Sequence, residues 1–107
     1  MNNPQYQQCI DACLRCAAAC NYCASACLQE PEIEPMRNCI RLDMECAAFC
    51  YATAEILSLG SPRAKELCRL CAAICAACGE ECGKHQMNHC QQCAIACNAC
   101  AEACAAM

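Results

Sequence analysis

Along this chain the positions with core periodicity recur every three or four residues, and nearly all of them are cysteine. Cys9, Cys13, Cys16, Cys20, Cys23 and Cys27 are spaced four, three, four, three, four. Cys68, Cys71, Cys75, Cys78 and Cys82 repeat the alternation, and so do Cys90, Cys93, Cys97, Cys100 and Cys104. The average is about 3.5 residues, the a/d seam of a left-handed helical bundle. A further segment keeps the register with fewer thiols, as Cys39, Asp43, Cys46, Cys50, Thr53 and Leu57. Phe49, Ile56 and Leu59 add apolar bulk to its C-terminal half.

The punctuation between these runs predicts four helices. Asn3-Pro4 supplies a capping residue followed by proline at the first helical position. The first helix must end before Pro31, and Glu30 to Pro35 is a proline-bounded connection. A second helix is expected from about Pro35 to Leu59, stopped by Gly60. Ser61-Pro62 should cap a third, which ends near Gly83 and tolerates Gly79. Asn88 with Gln91 has capping-box spacing for a fourth that runs to the C-terminus. Short connections favour an all-α, antiparallel up-down-up-down four-helix bundle with a cysteine-lined core, one domain over residues 1–107. Antiparallel packing then gathers Cys27, Met36, Cys39, Asp43, Cys82, His85, Met87, His89 and Cys90 at one end. Tyr6, Cys9, Ile56, Leu57, Leu67 and Cys104 gather at the other. The first end is a mouth of soft and polar metal ligands; the second is plugged with hydrocarbon.

Composition changes what such a core can be. The 107 residues hold nineteen cysteines, no tryptophan and one phenylalanine, so thiols must be the core or serve as ligands within it. So high a cysteine content normally marks a secreted disulfide scaffold. Here the count is odd, Gly and Pro total only seven, and the residues between thiols are mostly helix formers. Residues 1–5 show no basic region leading into an apolar run, so no secretory signal is expected and a cytoplasmic location is. No apolar stretch reaches the roughly 18 residues that span a membrane. A net charge of −4 argues against nucleic acid as a partner.

Packing alone explains one or two seam cysteines, since the thiol behaves as a small hydrophobe. It does not explain seams made almost wholly of a residue that packs less well than leucine and oxidises. A disulfide ladder is opposed by a reducing cytosol. A thiol redox buffer needs exposed, low-pKa thiols. An iron–sulfur reservoir lacks the ferredoxin run, and no cysteine here precedes proline. Soft-metal binding fits better. On a helix face Cβ atoms at i and i+3 or i+4 lie about 5–6 Å apart, and a linear S–metal–S bridge with bonds near 2.3 Å needs sulfurs about 4.5 Å apart. Charge then separates the metals. Loading nineteen thiolates with about four or five Zn²⁺ leaves roughly nine or ten buried negative charges. The chain has seven Lys and Arg, none on a seam. One monovalent Cu(I) per thiolate leaves the interior near neutral, so multiple Cu(I) ions per chain are favoured over a zinc store. Loading should release about one proton for each thiol that ligates.

The runs Cys39-Ile40-Arg41-Leu42-Asp43-Met44-Glu45-Cys46-Ala47 and Cys75 to His85 (CAACGEECGKH), set in this cysteine register, resemble the bacterial cytosolic copper storage proteins. The resemblance extends over nearly the whole chain. It implies a homotetramer of bundles, each storing many Cu(I) ions along its axis with thiols as the main ligands. No nucleophile–base pair, phosphate loop or open-site metal triad in the sequence suggests catalysis, so none is expected. It leaves the mouth open, where His85, Met87 and His89 have their own arrangement.

Among residues other than cysteine, His85 and His89 gain interest from lying beside Cys82 and Cys90. Asp43 reads as a solvated mouth residue, or as a carboxylate that draws in the cation or holds the last ion. Met36 and Met87 offer thioethers that suit Cu(I) and can pass it inward; a copper chaperone is the expected protein partner, as donor or acceptor. Tyr6, Tyr22 and Tyr51 read as packing, whereas Leu14, Leu28 and Ile95 fall outside the seams and point to subunit contacts.

Overall fold

The structure, a computed structural model, describes residues 4–107; the expected cap at Asn3 lies outside the described residues. Helix α1 spans Pro4–Cys27, without a glycine or further proline to interrupt it. It closes in tight turns, with Glu30 N–H donating to the Cys27 carbonyl at 3.1 Å. The expected second helix is divided. A 3-10 turn at Glu34–Met36 precedes α2, Arg37–Ser58. Pro35 has no N–H to give, and the turn closes instead through Met36 N–H to the Ile33 carbonyl at 2.8 Å. Met36 is thereby turned into the core. Gly60, at φ +72°, takes the left-handed conformation just beyond the end of α2, where glycine is unstrained.

Helix α3 spans Ala64–Gly83. It starts later than Ser61-Pro62 suggested: the Ser61 hydroxyl accepts from Arg63 N–H at 3.1 Å and shapes the turn ahead of the helix. Helix α4 spans Asn88–Ala105, and the expected capping box does not form. The Gln91 amide donates to the Gly83 and His85 carbonyls, at 3.2 and 2.5 Å, which lack partners at the end of α3.

The helices form a ring in which α1 packs on α2 and α4, and α3 packs on the same two. The described chain measures 48 × 18 × 17 Å, a slender rod. Alanines at 12, 17, 47, 54, 64 and 94 are buried between the seams and let the helices approach closely. Gly79 marks another close approach: a Cβ there would lie 2.5 Å from Asn98 Oδ1 and 3.3 Å from Cys97 Cβ on α4. Leu57 closes the end opposite Met36. Leu14, Leu28 and Ile95 are exposed, as their off-seam positions require. Tyr22 and Tyr51 are exposed too, contrary to a packing role, because they fall at the c and b positions of the heptad, on the outward flank of the seam, whereas the buried Ala12, Ala17, Ala47, Ala54 and Ala94 fall at e and g. Leu59 is 77 % exposed, lying past the last turn of α2. Tyr6 does pack against the core.

Candidate metal centre

All nineteen cysteines are buried, and none is bonded to another. The seam register places every sulfur on the bundle axis, where they form a column of contacts. At the mouth, the sulfurs of Cys23 and Cys27 from α1, Cys39 from α2 and Cys90 from α4 all lie within 4.8 Å of one another. Cys20, Cys78, Cys93 and Cys97 form a similar group further in, followed by Cys16, Cys46, Cys50 and Cys75, then Cys13, Cys71, Cys100 and Cys104. Beyond them Cys9 lies 3.1 Å from Cys104 and 3.7 Å from Cys68. Cys82 bridges inward and outward, 3.4 Å from Cys39 and 4.0 Å from Cys78.

His89 belongs to the mouth group. Its Nδ1 stands 3.7, 3.8 and 3.5 Å from the sulfurs of Cys23, Cys27 and Cys90. The other ring nitrogen, Nε2, lies 3.0 Å from Glu30. His85 is placed differently. Its Nε2 meets Glu81 at 3.0 Å, Glu81 also accepts from the Asn38 amide at 3.2 Å, and no thiol reaches hydrogen-bonding distance of His85 among the described residues. These bonds hold the Glu81 carboxyl below its usual range, His85 contributing most. His85, Met36 and Met87 instead line a groove of ≈ 550 Å³ outside the thiol column, with Glu30, Glu32 and Lys84.

Asp43 is a layer deeper than a solvated mouth residue would be. It is fully buried. Its Oδ1 accepts from the thiols of Cys78, Cys82 and Cys93 at 3.2, 3.2 and 3.4 Å, and Oδ2 from Cys39 at 3.8 Å. Burial is the chief reason its carboxyl is pushed up to about 8. Burial likewise pushes Cys68 up to about 12 and Cys90 to about 11. Cys39 goes the other way, held low by hydrogen bonds from Cys23 and then Cys82. Among the described residues Asp43 and Thr53 are the only buried polar side chains, so no cation is buried with the thiols.

Chemically, the spacing suits an ion that shares sulfurs. Groups of four sulfurs within 4.8 Å bracket both the separation of about 4.5 Å for linear bridging and that of about 4.0 Å for a three-sulfur site with 2.3 Å bonds. Glu30 and Glu81 escaped the sequence reading. Glu81 had a signal, its i,i+4 spacing to His85. Glu30 had none, because only the folded loop brings it to α4.

A bundle whose axis is a continuous column of free thiols, with a histidine and thioethers at one end, is a container for thiophilic metal. The sequence model of the copper storage protein family matches residues 2–107, and the chain belongs to that family. An uncharacterised cysteine-rich protein of Bacillus subtilis strain 168, YhjQ, is 51% identical over 87 residues, which cover 80% of this chain and 81% of that one. The structure of a Cu(I)-bound copper storage protein, BsCsp3, superposes with a TM-score of 0.92 at 50% identity, covering 96% of this chain and 97% of that one. A cytosolic copper storage protein of Streptomyces lividans with five coppers gives a TM-score of 0.92 at 44% identity, covering 95% and 90%.

Proposed function

We propose that this chain stores Cu(I) on the thiolates of all nineteen cysteines, admitting the ion at the end that carries His89, His85, Met36 and Met87. One observation carries the reading: nineteen free thiols are buried in mutual contact, and no cationic side chain is buried with them. A monovalent ion that replaces one proton at each thiol keeps such an interior neutral; a divalent ion bound by four thiolates does not. Burial of every thiol also opposes a redox buffer, which must expose its sulfurs to oxidant.

The geometry divides the work among the other ligands. His89 can take an ion as it reaches the first four sulfurs, whereas His85, Met36 and Met87 face the groove and suit transfer from a donor such as a copper chaperone. Asp43 is an internal ligand or spacer between layers, not a surface collector of cations. Nothing in the column resembles a nucleophile with its base or a metal with an open substrate position, which supports storage without catalysis. A reducing cytoplasm is the compartment in which such thiols stay free, and the Streptomyces protein is described as cytosolic. No helix is long and apolar enough to cross a membrane among the described residues. The exposed Leu14, Leu28 and Ile95 support a homotetramer, to be checked by the mass of the protein in solution.

Anaerobic titration of the reduced protein tests the central reading. Cu(I) should continue to bind to about one ion per thiol. Saturation by a few Cu(I), with four or five Zn²⁺ held tightly, would instead indicate a zinc store. Replacing His85 and His89 together should slow Cu(I) uptake and leave the final capacity almost unchanged.

A further inference from the structure

The two ring nitrogens of His89 face opposite environments. Nδ1 looks into the mouth group at Cys23, Cys27 and Cys90. Nε2 looks outward at the Glu30 carboxylate, 3.0 Å away. A neutral imidazole carries one proton, and its two nitrogens then have opposite roles, donor and acceptor. A carboxylate can only accept, so its contact with Nε2 places the proton there. That leaves the Nδ1 lone pair directed at the sulfurs, where a soft cation would be held.

Glu30 is itself well fixed. It follows α1 by three residues, and its backbone N–H donates to the Cys27 carbonyl. Main chain and side chain together close a loop from Cys27 through Glu30 to His89 and back to the Cys27 sulfur, 3.8 Å from Nδ1. Both partners are largely shielded, with side-chain exposures of 14% for His89 and 26% for Glu30. We propose that Glu30 is a positioning residue for copper uptake: it holds His89 in the Nε2-protonated form and aims Nδ1 at the Cys23–Cys27–Cys90 sulfurs. Carboxylates that orient metal-binding histidines in this way also raise the basicity of the ligating nitrogen. His85 provides the contrast. Glu81 holds its Nε2 in the same manner, yet among the described residues no thiol lies within hydrogen-bonding distance of its ring. The role assigned to Glu30 rests on the reading of His89 as part of the uptake end.

The test separates these two statements. In metal-free, reduced, histidine-labelled protein, nitrogen NMR should show His89 protonated on Nε2, with that N–H protected from exchange with water. Glu30→Ala should remove the protection, and Glu30→Gln, whose amide oxygen still accepts, should keep it. The rate of Cu(I) uptake from a competing chelator should fall roughly tenfold in Glu30→Ala. In a His89→Ala background the Glu30→Ala change should add nothing. A wild-type His89 protonated on Nδ1 would overturn the proposal, since that nitrogen could not ligate. So would an equal loss from Glu30→Ala with and without His89, which would mark a mere tie between loop and helix. Loss in His89→Ala with none in Glu30→Ala overturns the positioning role alone. An unchanged uptake rate in His89→Ala removes the uptake reading, and the role of Glu30 with it.

Discussion

Thr53 is the most informative single position for the apoprotein. It lies on the α2 seam three residues beyond Cys50, is fully buried, and its Oγ1 has no hydrogen-bond partner. In the unfolded chain that hydroxyl bonds water, so folding leaves it unpaired at a cost of about 1–3 kcal/mol. Thr53→Val keeps the branched shape and exchanges the hydroxyl for a methyl. It should stabilise the metal-free protein by about 1–3 kcal/mol, a sizeable part of the roughly 5–15 kcal/mol typical of a domain. For a chain of this length that corresponds to a Tm higher by about 5–15 °C. Anaerobic thermal unfolding in the presence of reductant measures it, and Cu(I) capacity should not change. Thr53→Cys should share the stabilisation and add a twentieth seam thiol, raising capacity by about one ion. A Thr53→Val protein less stable than wild type would refute the reasoning, because it would show that the hydroxyl is bonded in the folded state.

Three further outcomes are expected. Because burial holds thiols such as Cys68 and Cys90 protonated at neutral pH, Cu(I) loading should release protons, fewer from a thiol held low such as Cys39, and affinity should rise with pH; loading of weakly buffered protein without acidification would contradict this. Gly79→Ala gains about 1 kcal/mol of helix propensity but must displace Asn98 and press on Cys97, so unfolding should show little net gain. Adding Asn98→Ala should recover the gain, and strictly additive effects would argue against close contact of α3 and α4 there. Asp43→Cys should leave the fold intact and increase Cu(I) capacity, since the position faces Cys78, Cys82 and Cys93; a drop in capacity would make the carboxylate an essential ligand.

Much of this architecture was legible from spacing alone. The alternation of three and four residues carries the helices, their buried faces and the antiparallel ends, because a thiol at each seam position leaves little choice of register. Features that depend on contacts between helices were not legible. Asn88 and Gln91 have capping-box spacing, yet Gln91 finds better acceptors at the end of α3. Asp43 looks like a mouth residue in one dimension, but the stagger of α2 against α3 brings it beneath Cys82 and into contact with Cys78. Tyr22 and Tyr51 are large and apolar enough to suggest packing, but their c and b heptad positions lie on the outward flank of the seam, and both face solvent. His85 and His89 are indistinguishable by sequence; only the fold shows that one ring meets thiols and the other a groove.

The unbroken contact between sulfurs has a consequence for the history of each stored ion. From Cys39 and Cys82 through Cys78, Cys20, Cys97, Cys16, Cys75 and Cys71 to Cys13, Cys104 and Cys9, neighbouring thiols lie near enough for a metal to be gripped by the next before the last lets go. Travel along the axis is then a series of bond exchanges, with no passage through water. With the ligand-rich mouth at one end and Leu57 closing the other, early arrivals are driven deepest and later ones lie on top. The first copper stored would be the last withdrawn, and depth along the rod would become a record of age.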